Sequence, residues 1–183
     1  MDDDALRLFE LLDDLERQAE AAYAEERVWE IADLARAEYA RVSLDGRLMA
    51  SLGGDLVVEV VGVGRVAGRL SRMGRGWLVI SGSATWLVLL PAVVSVLGAS
   101  DRSRHEDAWG LRHRLEVRLV LERLAEQGSR CLLHLRGGGS LLGTVTRIGA
   151  DFVEVRCEQP GQVALVSLAH LSALQLEATA ELA

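Results

Sequence analysis

The feature that most constrains the fold is a pattern of glycines and apolar runs that occurs twice, at a separation of 75 residues. The positions that agree are four glycines and one arginine in each copy: Gly62, Gly64, Gly68, Arg72 and Gly74 in the first, and Gly137, Gly139, Gly143, Arg147 and Gly149 in the second. The apolar positions between them agree as well. Because a repeated local pattern predicts a repeated structural unit, we expect two copies of one small fold.

Each copy divides into five short apolar runs that are separated by glycine-containing turns, which is typical of β-strands. The predicted strands of the first copy are Asp55 to Val61, Arg65 to Arg72, Trp77 to Ser81, Thr85 to Leu90 and Val93 to Leu97. Those of the second are Arg130 to Arg136, Ser140 to Arg147, Phe152 to Arg156, Gln162 to Ser167 and Leu171 to Leu176. An interior glycine in the second strand, Gly68 or Gly143, predicts a sharp bend that curls each set into a small barrel.

Helices are predicted before each set of strands. Apolar residues at three- and four-residue steps indicate an acidic helix at the N-terminus, at Leu8, Leu11, Leu12, Leu15, Ala19 and Ala22. A second helical stretch runs from about Arg27 to Leu52, with its part from Leu44 assigned to the first barrel, and a third runs from Ala108 to Gln127. The predicted division is an acidic helical segment (1–43), a first barrel (44–100), a linker (101–107), a second barrel (108–178) and a tail (179–183).

The segments GRVAGRLSRMGRGWLVI and GSLLGTVTRIGADFVEV resemble the first motif of the Sm-like barrels, the group that includes bacterial Hfq. Gly68 and Gly143 match the glycine of strand two in that group, and Gly98 matches the glycine that closes its second motif. The resemblance implies an α+β fold with two Sm-like helix-plus-five-strand small β-barrels in tandem. The layout is also similar to an uncharacterised group of actinobacterial proteins.

Catalytic and cofactor chemistry finds little support in the sequence. Four histidines and two cysteines show no metal-ligand spacing, and no nucleophile motif is present. Gly62-x-Gly64-x-x-Ala67 resembles a dinucleotide fingerprint, but that site needs a helix after the glycines, and another apolar run follows about ten residues later. We therefore expect no cofactor, no metal and no enzyme activity. No run reaches the length of a membrane span and Met1 is followed by three aspartates, so a cytoplasmic protein is expected.

The remaining classes are protein interaction and nucleic-acid binding. The net charge is −7, and residues 1–50 hold fourteen acids against six arginines, which disfavours a polyanionic partner. The favoured function is protein–protein interaction or self-association through barrel edge strands, with no membrane and no small-molecule substrate. The alternative is an RNA- or nucleic-acid-binding protein. Its candidate residues are Arg65, Arg69, Arg72, Arg75, Trp77, Arg147 and His170. Of these, His170 retains one member of a Lys-His pair that contacts RNA in Hfq-like proteins.

Overall fold

The structure is a computed structural model that describes residues 15–18, 20, 23, 27, 29–159 and 161–176, without the side chain of Arg112. The chain divides into two compact units, Met1–Ser43 and Leu44–Ala183. In the first unit residues 29–39 are helical, and Trp29, Ile31 and Tyr39 are exposed. A break at residues 40–43 interrupts the helix predicted from Arg27 to Leu52. The predictions for Leu8, Leu11, Leu12, Ala19, Ala22 and residues 179–183 concern positions outside the described residues.

The described residues of the second unit form two α-helices and ten strands. The first half holds α1 (Leu44–Ala50), β1 (Asp55–Val60), β2 (Gly64–Gly74), β3 (Trp77–Ser81), β4 (Thr85–Leu89) and β5 (Val93–Leu97). The second half holds α2 (Val117–Gln127), β6 (Arg130–Leu135), β7 (Ser140–Ile148), β8 (Phe152–Cys157), β9 (Val163–Ser167) and β10 (Leu171–Leu176). Short 3₁₀ turns span Leu90–Ala92, Glu106–Ala108, Leu111–Arg114 and Leu168–His170.

All ten strands form one antiparallel open sheet in the order β5-β1-β2-β3-β4-β10-β6-β7-β8-β9. The predicted pair of separate Sm-like helix-plus-five-strand barrels is therefore wrong. In two separate barrels, each strand would pair only with strands of its own half. Instead β4 pairs with β10 of the other half, and β5 lies at the far edge beside β1.

Within that single sheet, backbone and side-chain contacts recur at the repeat spacing. The Val61 N–H donates to the Ala92 carbonyl at 2.9 Å, and the Arg136 N–H donates to the His170 carbonyl at the same distance. The Ser71 hydroxyl donates to the Val79 carbonyl and the Thr146 hydroxyl to the Glu154 carbonyl, both at 3.2 Å. The strand order 5-1-2-3-4 is also the same in both halves. The glycine repeat thus corresponds to a repeated strand arrangement, although the two arrangements share one sheet.

The central strands carry apolar residues on both faces. Alternate residues of β3 face two different clusters: Trp77 and Val79 pack with Leu121 of α2, whereas Leu78 and Ile80 pack with Leu48 of α1. A strand covered on both sides belongs inside a layered sheet, and this explains the continuous apolar run from Trp77 to Ile80. The two-faced burial of β3 and β4 gives the joined sheet a core on each side.

The apolar residues of the predicted strands indicate ten core positions, of which nine are buried and Leu135 is half-buried: Val58, Val60, Leu70, Leu78, Ile80, Leu133, Leu135, Val145, Val153 and Val155. The helix predicted from Ala108 begins at Val117 instead. The Leu115 carbonyl accepts hydrogen bonds from the Arg75 N–H and the Trp77 indole, which ties the preceding segment to the first half of the sheet. Among the described residues, no helix has both the length and the apolar character to cross a bilayer.

Candidate functional site

The two halves meet where β4 pairs with β10. The register places Leu87 opposite Leu174 and Trp86 opposite Gln175. Leu87 and Leu174 are fully buried in this junction. Backbone pairing between strands supplies hydrogen bonds to groups that would otherwise be left open at a sheet edge.

The outer edges of the sheet are β5 and β9, and no described strand pairs with the outer side of either. Both carry exposed apolar side chains: Val94 and Leu97 on β5, and Val163 and Leu165 on β9. By the repeat, β9 corresponds to β4 and β5 corresponds to β10. The free edges are therefore the counterparts of the two strands that join inside the chain.

Three of the arginines that were predicted to bind nucleic acid lie near carboxylates. On β2, Arg65 is opposite Glu59, and Arg69 is opposite Asp55 with a nitrogen–oxygen distance of 3.9 Å. Past the end of that strand, Arg75 forms a 2.5 Å ion pair with Glu106. The neighbouring carboxylates partly neutralise the positive charge of these exposed guanidinium groups.

Arg72 and Trp77 line one groove between the sheet and the segment that leads into α2. The indole of Trp77 is 5% exposed, so it forms the floor of the groove instead of a free stacking surface. The other two candidates, Arg147 and His170, belong to the second half: Arg147 is exposed on β7 and His170 is exposed in a 3₁₀ turn. The structure thus brings together Arg72 and Trp77, and it distributes the remaining candidates over β2, its following turn and the second half.

A histidine that the sequence placed in an apolar strand lies beside the junction. His134 of β6 stacks on Trp86 of β4 with ring centroids 5.2 Å apart. Burial lowers the pKa of His134, and a hydrogen bond with the Gln175 side chain opposes this shift only in part. Its Nε2 atom is buried without a hydrogen-bond partner among the described residues.

The thiols and the acids provide no metal cluster within the described part of the chain. Cys131 is buried in the core, which raises the pKa of its thiol to about 11, and Cys157 is half-buried. A thiol with such a pKa is unreactive near neutral pH.

Sequence reasoning missed two sets of residues that shape these surfaces. The sequence predicts Val163 and Leu165 of β9 only as strand residues, although their alternation with the buried Val166 indicates one exposed face. The spacing of Leu115 and Leu119 predicts the apolar face of a longer helix, yet both residues border the groove. No family model and no curated protein matches this chain.

Proposed function

We propose that the protein is a non-catalytic assembly protein whose copies join edge to edge, with β9 of one copy pairing with β5 of the next. The observation that carries the proposal is the β4–β10 junction, because it joins the counterparts of those two strands within one chain. The chain therefore contains one completed contact of this kind, between β4 and β10. The equivalent strands, β9 and β5, are the exposed edges of the sheet.

The internal register defines the external one. Leu87 of β4 lies opposite Leu174 of β10, and the repeat offset of 78 residues in this region maps them onto Leu165 and Val96. Leu165 is 67% exposed, whereas its equivalent Leu87 is fully buried in the β4–β10 junction. Pairing with another copy would bury Leu165 in the same way. Burying one such side chain contributes about 1.5–3 kcal/mol.

The contact is heterologous, because each copy uses two different edges. A dimer formed in this way keeps one free β5 edge and one free β9 edge. Association therefore continues until a ring closes or a filament grows. Exposed apolar side chains at both edges, instead of the lysines and prolines that usually protect them, favour this reading.

Nucleic-acid binding receives less support. Arg65 and Arg69 lie opposite carboxylates and Arg75 is ion-paired, so these groups offer little free positive charge to phosphates.

Light scattering coupled to size exclusion tests the proposal on the whole chain. The wild-type protein should exceed the 19.9 kDa of one copy, and Leu165→Lys should reduce the mass toward one copy while the chain stays folded. Leu111→Lys is the matched control, because Leu111 is 85% exposed but lies away from both edges. A wild-type protein that stays at the mass of one copy at about 100 μM, or an unchanged mass in Leu165→Lys, would contradict edge pairing.

A further inference from the structure

The groove around Arg72 consists of two adjoining cavities of about 480 and 240 Å³. Both cavities are lined by Arg72, Trp77 and Leu115. The larger extends toward Ser71 and His113, and the smaller extends along α2 past Leu119, Val120 and Arg123. One end of the groove is therefore polar and the other is largely apolar.

Hydrogen bonds hold the walls of the groove together. The Trp77 indole N–H donates to the Leu115 carbonyl at 2.8 Å, and Nδ1 of His113 bonds the Met73 carbonyl at 3.0 Å. Gly74 lets the indole lie flat on the backbone, since a Cβ there would come within 2.5 Å of the Trp77 ring and 2.6 Å of the Leu115 carbonyl. A site that is formed before its ligand arrives loses less entropy on binding.

The charge of the groove is of one sign. Two guanidinium groups, Arg72 and Arg123, line it, and no carboxylate among the described residues does. Arg123 pairs with Glu126 at 2.8 Å, whereas no hydrogen bond or ion pair engages the Arg72 side chain within the described residues. Arg72 is thus a cation at the meeting point of both cavities, available to an anion.

The repeat provides a comparison within the same chain. Arg147, the counterpart of Arg72, also borders a cavity, of about 310 Å³, but Glu122 and Glu126 of α2 line that cavity. Two carboxylates beside Arg147 disfavour an anion there. The features that attract a negative group are therefore specific to the Arg72 groove.

We propose that this groove binds an amphipathic anion, in which a carboxylate or phosphate head pairs with Arg72 and an apolar tail lies over Trp77, Leu115 and Leu119. The guanidinium group suits either head, because it presents paired donors to two oxygens. The tail replaces water on an apolar wall that the chain leaves open, and Leu119 is about half exposed there. This proposal is independent of the edge pairing, since none of its residues lies on β5 or β9.

Isothermal titration of the full chain with decanoate, decyl phosphate, inorganic phosphate and decyltrimethylammonium tests the proposal. One decanoate or decyl phosphate should bind per chain and saturate, and the tighter of the two identifies the head. Shortening the tail by one CH₂ should weaken binding roughly threefold to fourfold. Arg72→Gln should weaken it about tenfold or more, which is the effect of losing a charge-assisted hydrogen bond.

Arg147→Gln is the matched control and should leave the affinity within about twofold, because Arg147 borders the acidic cavity. Equal binding of the cationic amphiphile, or an equal loss in Arg147→Gln, would show non-specific adsorption and overturn the proposal. Inorganic phosphate that binds as tightly as decyl phosphate would overturn the role of the tail. An absence of saturable binding at about 1 mM ligand would overturn the site itself. Mass measurements on Arg72→Gln, which should assemble like the wild type, separate a failure here from a failure of edge pairing.

Discussion

Leu87 and Leu165 occupy equivalent positions on β4 and β9, yet Leu87 is fully buried and Leu165 is 67% exposed. The difference arises because β4 lies between two strands, β3 and β10, whereas β9 pairs with only one strand, β8, among the described residues. The same sequence position therefore appears once in a completed junction and once at an open edge.

In each half, the second strand approaches its neighbouring strand closely at a glycine, Gly68 in β2 and Gly143 in β7. A Cβ at Gly143 would come within 2.8 Å of Val155 Cγ1 and closer still to the Arg156 carbonyl. We expect Gly143→Ala to lower the free energy of unfolding by about 1–3 kcal/mol, as overpacking does. Gly137→Ala is the control, because no atom lies within 4 Å of its added Cβ, and it should change stability by less than about 1 kcal/mol. Urea unfolding of both variants measures the difference, and equal effects would contradict the close strand approach.

Leu70 of β2 is fully buried in the cluster beneath α1. We expect Leu70→Ala to lower the free energy of unfolding by about 2–5 kcal/mol, because truncation leaves a cavity. Leu111→Ala, at a position that is 85% exposed, should change it by less than about 0.5 kcal/mol. Thermal and urea unfolding should agree on this order. If Leu70→Ala unfolds like the wild type, the register between β2 and β3 is wrong.

The burial of His134 predicts a dependence of stability on pH. Its folded-state pKa lies below its usual value of 6.5, so the unfolded chain takes up the proton first as pH falls. The free energy of unfolding should therefore decrease as pH falls through about 6.5, and the loss should level off below the folded-state pKa. His134→Gln should reduce this slope, whereas His105→Gln, at an exposed side chain, should retain it. Equal slopes in all three proteins, measured by urea unfolding between about pH 5 and 8, would refute this role of His134.

Local signals in the sequence predicted the strands well. The predicted bounds of Trp77–Ser81, Val93–Leu97 and Leu171–Leu176 match the structure, because glycines, Pro91 and apolar alternation mark the strand ends. The pairing that joins the two halves of the sheet was not predictable in this way. Whether β4 pairs with β5 or with β10 depends on partners far apart in sequence, and the turn residues carry no information about that choice.

The groove was missed for a related reason. The spacing of Leu111, Leu115 and Leu119 predicts one face of a long helix. In the structure the backbone of Leu115 is held by Trp77, so the helix begins after it and turns Leu121 and Leu124 toward the core instead. The sequence identifies Arg72 as a candidate residue. It does not show that Arg72 shares a cavity with apolar residues of α2, whereas Arg147 shares one with the acidic residues Glu122 and Glu126.

The most direct test of edge pairing is a cross-link in the predicted register. Two variants, Leu165→Cys and Val96→Cys, each carry Cys157→Ser to remove the half-buried native thiol and are co-expressed. Residues directly opposite each other on antiparallel strands have Cα atoms about 4.5–5.5 Å apart, which suits a disulfide. Mild oxidation should yield a covalent dimer of twice 19.9 kDa from the co-expressed pair and none from either variant alone. A dimer from Leu165→Cys alone, or no dimer from the pair, would contradict the pairing of β9 with β5.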